Sequence, residues 1–293
     1  MKPPKKFGVW GNTEKENFWN TLPEILSWSK EKKIEVYLTK RIKSSKRNTS
    51  ESPLVINSKD DINDLDFMLA LGGDGTFLSS ARAVENRNIP ILGIHLGDLG
   101  FLAKVNLDDL FQRLNQVADG MYVIEKRSMI KALVKKNGLL IHHTALNDFV
   151  VKNNELNRML SFTVYVDGHL VCNYKADGLI IATPTGSTAY SLSSGGPIIS
   201  PDVDSFVVTP ISPHSLTSRP LVVSANSKIS IKFPDKTDEM IFTVDGQIHE
   251  KLNPTNEIKI QRAAYEINLI DFIDNDYFET LRKKMGWGKR GED

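Results

Sequence analysis

The sequence predicts a two-part fold, α/β plus mostly-β, and three observations carry that expectation. From residue 7 to residue 117, short apolar runs alternate with stretches whose apolar residues recur at helical spacing. Strict alternation of strand and helix argues for a parallel sheet with helices on its faces. After Gly120, short β-rich segments follow one another between turn residues, the pattern of a mostly antiparallel domain. The last stretch, Asp276 to Gly288, returns to helix-like spacing, with Tyr277, Phe278, Leu281 and Met285 on one stripe. The expected domains are 1–124, joined by the C-terminal segment 272–293, and 125–271.

In chain order, Phe7 to Trp10 is an apolar strand closed by Gly11-Asn12. Phe18, Leu22, Ile25 and Leu26 then recur at i, i+4, i+7 and i+8, one helical stripe. Ile34 to Leu38 alternates as a strand. Lys40 to Ser52 is basic, Ser-rich and poor in apolar residues, and reads as a mobile loop; a solvated connection and a contact with an anionic ligand both fit it. Asp66 to Leu71 is the next strand, Thr76 to Asn86 a helix, Pro90 to Ile94 a strand and Asp108 to Val117 a helix. In the second half the β-rich segments are 121–134, 139–151, 159–166, 169–175, 178–182, 205–209, 221–223, 228–233, 240–244, 257–261 and 265–270. Only 186–194 looks helical there. Val166-Asp-Gly-His169 is a hairpin signal.

Composition narrows the function classes. Hydrophobic residues at 40% and charged residues at 25% are ordinary for a soluble globular protein. A formal net charge of +1 argues against a nucleic-acid binder. Cys172 is the single cysteine, which rules out an intrachain disulfide and a cysteine-rich zinc site; on an alternating strand it reads as a small core residue. No apolar run approaches the roughly 20 residues that span a bilayer. The basic start, MKPPKKFGVWGN, lacks a following apolar h-region. A soluble, cytoplasmic protein with no membrane and no nucleic-acid partner is expected.

Three stretches carry candidate chemistry. Gly72-Gly-Asp-Gly75 stands where a parallel strand hands over to a helix, at the sheet edge where α/β folds bind ligands. Glycines permit positive φ and close backbone approach, and amides at a helix start favour anions. Asp74 fits two readings: a helix cap, or a carboxylate that takes a proton from an acceptor beside bound phosphate. In Leu146-Asn-Asp-Phe-Val150, the polar pair Asn147-Asp148 interrupts an apolar run, so it is either a turn or bulge, or a functional pair. In the third, a buried strand, Leu179 to Ala182, runs into a loop dense in hydroxyls and glycine and a short helix starting near Ser187. That loop is either plain turn chemistry or a holder of ribose, phosphate or amide groups.

With these motifs stand PILGIHLGDLGFL (90–102), DGLIIATPTGSTAYSLSSGGPIISP (177–201), PISPHSLTSRPLVV (210–223), VDGQ (244–247) and YFETLRKKMGW (277–287), in that order along the chain. Together with GGDGTFL and ALNDFVV (145–151), they make the sequence resemble the bacterial NAD kinases. The resemblance implies a Rossmann-like N-terminal domain with a β-sandwich-like C-terminal domain. It implies transfer of the terminal phosphoryl of ATP, or of polyphosphate, to the adenosine-ribose 2′-hydroxyl of NAD, with Mg²⁺ or another divalent metal, in a homodimer or homotetramer. By the same resemblance Asp74 is the general base with Gly75 beside it, and Gly72, Gly73 and Gly75 form the phosphate-donor loop. Asn147 and Asp148 contact the ribose hydroxyls. Thr188, Ala189, Tyr190, Ser191, Leu192 and Ser193 wrap the dinucleotide, Asp177 meets its nicotinamide end, and Arg158, Lys175 and Gln247 are further NAD contacts. Phe77 and Leu78 form an apolar wall. His95 stands where this family is expected to carry asparagine; a structural histidine and a group near phosphate both fit. The metal ligands stay unassigned. A lipid or sugar kinase and a non-catalytic NAD(P) sensor are the competing classes, which the 177–201 run and the intact Asp74, Asn147 and Asp148 argue against.

Overall fold

The structure is a computed structural model that describes residues 2–48, 54–58, 60–97, 99–136, 139–154, 158–234, 239–252 and 257–287. The chain forms two compact units, Met1–Lys126 with Ile267–Asp293, and Arg127–Glu266.

The first unit opens with β1 (Lys6–Gly11), α1 (Glu16–Lys32), β2 (Glu35–Thr39), α2 (Lys40–Lys43), β3 (Leu54–Ile56) and α3 (Asp60–Asn63). It continues with β4 (Phe67–Gly72), α4 (Asp74–Val84), β5 (Ile91–His95) and α5 (Leu110–Ala118). The strands pair in the order β3-β2-β1-β4-β5, all parallel. The order reverses between β1 and β4, so the carboxyl ends of these two strands form the topological switch point of a doubly wound sheet. Phe18, Leu22, Ile25 and Leu26 of α1 are all buried, as their spacing predicts, and Phe7 of β1 stacks on Phe67 of β4 at 4.8 Å.

The loop expected over 40–52 is in part ordered: its first residues form α2, whose Ile42 is fully buried. One apolar side chain anchors a segment whose basic composition read as solvated; residues 49–53 lie outside the described part. Helix α4 begins at Asp74, two residues before the expected Thr76, because Thr76 and Phe77 already donate their N–H groups to Gly73 O.

Next come β6 (Val123–Lys136), β7 (Leu139–Ala145), β8 (Asp148–Asn153), β9 (Leu160–Val166), β10 (His169–Ala176) and β11 (Gly178–Ala182). A 3-10 turn (Thr185–Thr188) and the short helix α6 (Tyr190–Ser193) follow. The rest is β12 (Ser205–Ile211), β13 (Leu221–Ser224), β14 (Ile229–Lys232), β15 (Met240–Val244), β16 (Ile248–Leu252) and β17 (Ile258–Asp271), with α7 (Tyr277–Met285) last. The expected strand 139–151 breaks at Leu146-Asn147, and 257–261 and 265–270 are one strand. Half-polar β16, with only Leu252 buried, gave no apolar run to find.

In the second unit, β13-β12-β11-β8-β15-β16 form one antiparallel sheet. Its inner face, with Phe149, Leu179, Ile181, Phe206 and Phe242, packs against Phe162 and Val164 of β9, Ile229 and Ile231 of β14 and Ile258 and Ile260 of β17, as in a sandwich. Its other face buries Val150, Ile180 and Val207 under Ile199 and Tyr190. Coverage on both faces explains the uninterrupted apolar run of β11. The hairpin at 166–169 forms as expected, with Asp167 and Gly168 at φ 51° and 82°. Cys172 is half-buried beside a bulge and packs against the margin of the core. Back in the first unit, the end of β17 pairs with β5, Leu269 opposite Ile91. Of the expected stripe on α7 only Leu281 is buried, while Phe278 is 57% exposed.

Candidate active site

In the first unit the glycine turn closes β4 at the switch point. None of Gly72, Gly73 and Gly75 is among the glycines with positive φ, so the expected conformational reason does not apply. Gly72 is needed for space, since a Cβ there would lie 2.1 Å from Thr76 Oγ1, whereas a Cβ on Gly73 would meet nothing within 4 Å. The turn is therefore tight on one side and open on the other.

Asp74 does not cap its own helix: Gly73 is the cap residue, with no side-chain bond. Its carboxylate accepts instead from three successive amides, Phe101 N–H at Oδ2 (2.9 Å) and Leu102 and Ala103 N–H at Oδ1 (3.1 and 3.0 Å). The segment bearing them folds back along β5, with Val105 bridging Ile94. Gly100 is required there, because a Cβ would fall 1.9 Å from Asp74 Oδ1. Behind the segment, Tyr277 of α7 lies 6.4 Å from the ring of Phe101. A carboxylate has about four acceptor sites; one on Oδ2 stays open. Phe77 and Leu78 are buried, so they pack the unit and do not line an open wall. His95, in register with Gly72, places Nδ1 2.6 Å from Gly97 O, while its buried Nε2 has no hydrogen-bond partner among the described residues.

In the second unit another aspartate performs the same grip. Asp245 accepts from Leu146 N–H at Oδ2 (3.1 Å) and from Asn147 and Asp148 N–H at Oδ1 (2.7 and 3.2 Å). Its own N–H donates to Asp148 O at 3.0 Å. The break between β7 and β8 is thus a satisfied one, and it turns Asn147 and Asp148 toward a cavity of ≈ 490 Å³ that also meets Lys152, Ala189, Tyr190, Thr243, Asp245, Gly246 and His249. Lys152 Nζ sits 4.3 Å from the Tyr190 ring centroid. Asp148 is 3% exposed, and burial, then the charge of Asp245, pushes its carboxyl up to about 7. Asn147 Oδ1 is buried without a hydrogen bond among the described residues.

Most hydroxyls of the 183–191 run serve the fold. Thr183 Oγ1 donates to Leu146 O (2.5 Å), Ser187 Oγ to Pro184 O (2.6 Å), Thr188 Oγ1 to Thr185 O (3.1 Å), and Ser191 Oγ pairs with Thr209 Oγ1 (2.9 Å). The buried Arg127 guanidinium donates to Thr185 Oγ1 (3.2 Å). Gly186 is required because a Cβ would lie 2.0 Å from Asn147 O, so this run is latched onto the Asn147 segment. Of the residues nominated from sequence, the cavity gathers Asn147, Asp148, Ala189 and Tyr190. Thr188, Ser191 and Leu192 lie beside them in the chain but do not line it. Arg158, Lys175, Asp177, Ser193 and Gln247 are exposed positions outside its lining.

Residues 7–122 match the family model of the ATP-NAD kinase N-terminal domain, and residues 146–272 that of the C-terminal domain. The chain belongs to the NAD kinase family. Curated NAD kinases of Geobacter metallireducens and Clostridium botulinum are 37% and 39% identical to it, over 98% of this chain and 100% and 98% of theirs. The crystal structure of yeast NADH kinase complexed with NADH superposes with a TM-score of 0.90 at 25% identity, covering 99% of this chain and 90% of that one. An NAD kinase from Archaeoglobus fulgidus in complex with ATP gives 0.75 at 25% identity, covering 96% and 98%. Among the described residues of this NAD kinase family member, no group of three or more His, Cys, Asp and Glu is placed to hold a metal ion, and no helix is long and apolar enough to cross a membrane. Sequence reasoning missed Asp245, Lys152, Thr243 and His249. Asp245 lay inside the quoted VDGQ motif; Asp-Gly there signals a hairpin, and nothing local says which amides its carboxylate takes.

Proposed function

We propose that this chain is an NAD kinase that transfers the terminal phosphoryl of ATP to the 2′-hydroxyl of the adenosine ribose of NAD, giving NADP and ADP. The observation that carries the reading is Asp74: a half-buried carboxylate at the switch point, held by three amides with one acceptor site open, next to a glycine whose side is empty. The new bond joins the ribose oxygen to phosphorus, the bond from that phosphorus to the ADP oxygen breaks, and Asp74 takes the hydroxyl proton. General-base assistance of this kind contributes about 10²–10⁴-fold. Gly72, Gly73 and Gly75 position the donor phosphates. Asn147 and Asp148, with Ala189 and Tyr190, receive the nucleoside in the second unit, a role that the orphaned Asn147 Oδ1 and the buried, cavity-lining Asp148 carboxylate support. Thr188, Ser191, Leu192 and Ser193 contribute through the shape and amides of that segment. Arg158, Lys175, Asp177 and Gln247, exposed in one chain, are contacts completed in a homodimer or homotetramer, which light scattering on the purified protein tests.

The described residues do not build a protein cage for a metal, since Asp74 already serves three amides and no acidic cluster among the described residues surrounds it. A divalent ion such as Mg²⁺ belongs to the donor, on its phosphates and water, where it offsets their charge. The test is NADP formation from NAD with Mg²⁺ and either ATP or polyphosphate, read with an NADP-specific dehydrogenase. NADP from either donor is expected. Consumption of ATP with a lipid or sugar acceptor and none with NAD would overturn the reading.

A further inference from the structure

We propose that Lys15 binds the terminal phosphates of the phosphoryl donor, a role resting on the reading above. Lys15 follows β1 in a turn fixed by Asn12: Asn12 N–H donates to Leu71 O (2.8 Å), Glu14 N–H to Asn12 Oδ1 (3.1 Å) and Lys15 N–H to Asn12 O (3.2 Å). The turn is thus bolted to the last residues of β4, immediately before the glycine turn. From there the Lys15 side chain reaches toward Gly97, where an added Cβ would lie 3.0 Å from Lys15 Nζ. Gly97 follows β5, and β4 lies between β1 and β5. Neighbouring strands are about 4.8 Å apart, so β1 and β5 are about 10 Å apart, and the turn after β1 and the Lys15 side chain together bridge that distance along the edge where β4 ends. The ammonium thus stands beside Gly97, at the sheet edge where β4 hands over to Gly72, Gly73 and Asp74, the switch point.

Local physics gives this lysine no structural reason to be there. It occupies the cap position of α1, where Ser, Thr, Asp or Asn is preferred, and it supplies no side-chain cap. It puts a cation at the positive end of a 17-residue helix. Among the described residues it has no ion-pair partner: its neighbours Glu14 and Glu16 go to Arg41 and Arg47. A local conflict of this kind, at the edge where the fold binds ligands, is the mark of a group kept for an anion that arrives later. The empty side of Gly73 is where that anion fits. The anion is a run of linked phosphates, which nucleoside triphosphate and inorganic polyphosphate share.

The experiment uses the full-length protein with Lys15→Ala, Lys15→Glu and Lys15→Arg, assayed for NADP with Mg·ATP and with polyphosphate in parallel arms. In Lys15→Ala, KM for the active donor rises about tenfold, the loss of one charge-assisted contact. KM for NAD stays within twofold, Lys15→Arg recovers most of the donor affinity, and Lys15→Glu is worse than Ala. Isothermal titration with Mg·ATP shows the same order without turnover. The melting temperature of Lys15→Ala holds or rises, because an unpaired cation leaves the positive end of α1. Unchanged donor KM and unchanged titration in both Lys15→Ala and Lys15→Glu would overturn the proposal while wild-type NADP formation stands. If wild type makes no NADP, the kinase reading fails first, and the titration still decides whether Lys15 holds phosphate.

Discussion

Asp74 in the α/β unit and Asp245 in the β-rich unit each hold three successive backbone amides of a remote segment, 101–103 and 146–148. The difference lies in what each leaves over. Asp74 stands at the start of a helix, half-buried, with an acceptor site on Oδ2 unused. Asp245 is 9% exposed in a hairpin turn, and its work is to present a second carboxylate, Asp148, which is buried and raised by burial and by the Asp245 charge. In the first unit scaffold and reactive group are one residue; in the second they are two. Substitutions should therefore couple stability to turnover at Asp74, and separate stability from binding in the other pair.

The largest effect is expected at Asp74. An asparagine keeps one acceptor oxygen but turns an NH₂ toward amides that are themselves donors, so Asp74→Asn loses both the base and part of the grip. NADP formation should fall at least 10²-fold, with KM for NAD changed little, because the cavity is built from second-unit residues. Near-native turnover in this variant would remove Asp74 as the base.

Next is Asp245→Ala. It leaves three largely buried amides unsatisfied, and each such loss costs about 1–3 kcal/mol, so chemical denaturation should show several kcal/mol lost together with weakened NAD binding. The double variant Asp245→Ala with Asp148→Asn should show coupling in a mutant cycle, because removing the Asp245 charge lowers the Asp148 carboxyl from its raised position. Additivity would mean the two carboxylates do not sense one another.

Asp148 alone gives the opposite sign. Its folded-state value of about 7 stands above the ordinary 3.8, so folding favours the protonated form. That contribution is fully present below about pH 4 and is lost as pH rises toward 7, with stability falling by up to about 1.4 kcal/mol per pH unit. Asp148→Asn should therefore be more stable than wild type at pH 8, by on the order of 4 kcal/mol, yet bind NAD more weakly. A ribose contact needs the ionised carboxylate as acceptor, so wild-type KM for NAD should fall as pH rises through 7, and that dependence should vanish in the variant. A flat wild-type profile together with no gain in stability would refute this account of the pair.

What the sequence shows and what it hides follow from the same comparison. The first unit was legible because its strands are short apolar runs and its helix α1 carries an unbroken stripe. The hairpin 166–169 was legible because Val-Asp-Gly forces the turn. But Val244-Asp-Gly carries the same signal and, with Asp245 and Gly246 at φ 49° and 64°, the same left-handed turn geometry. Asp167 receives the Lys228 N–H (2.8 Å) and the Ser227 hydroxyl and stays on the surface, whereas Asp245 supports the site. Three identical residues have different duties because the partners are backbone amides, and an amide carries no side-chain signature. The same is true of Asp74, whose partners lie 27 to 29 residues away. Its motif marks a reactive residue but not the cradle.

The smallest effect is expected at His95, and it bears on how firmly that cradle is set. With Nδ1 2.6 Å from Gly97 O, the ring donates there, and Nε2 is left as a buried acceptor with no partner among the described residues. His95 thus holds the first turn of the segment that ends in the amides gripping Asp74. In His95→Asn the side-chain amide nitrogen occupies the same place as Nδ1 and can donate to Gly97 O, while the orphaned nitrogen disappears; activity should stay within twofold. In His95→Leu the bond to Gly97 is lost, and kcat should fall severalfold with KM for NAD unchanged, since the Asp74 cradle loosens and the cavity does not. Steady-state kinetics of the two variants decide it: equal losses in both, or a loss confined to KM for NAD, would mean that His95 acts on something other than the loop that positions Asp74.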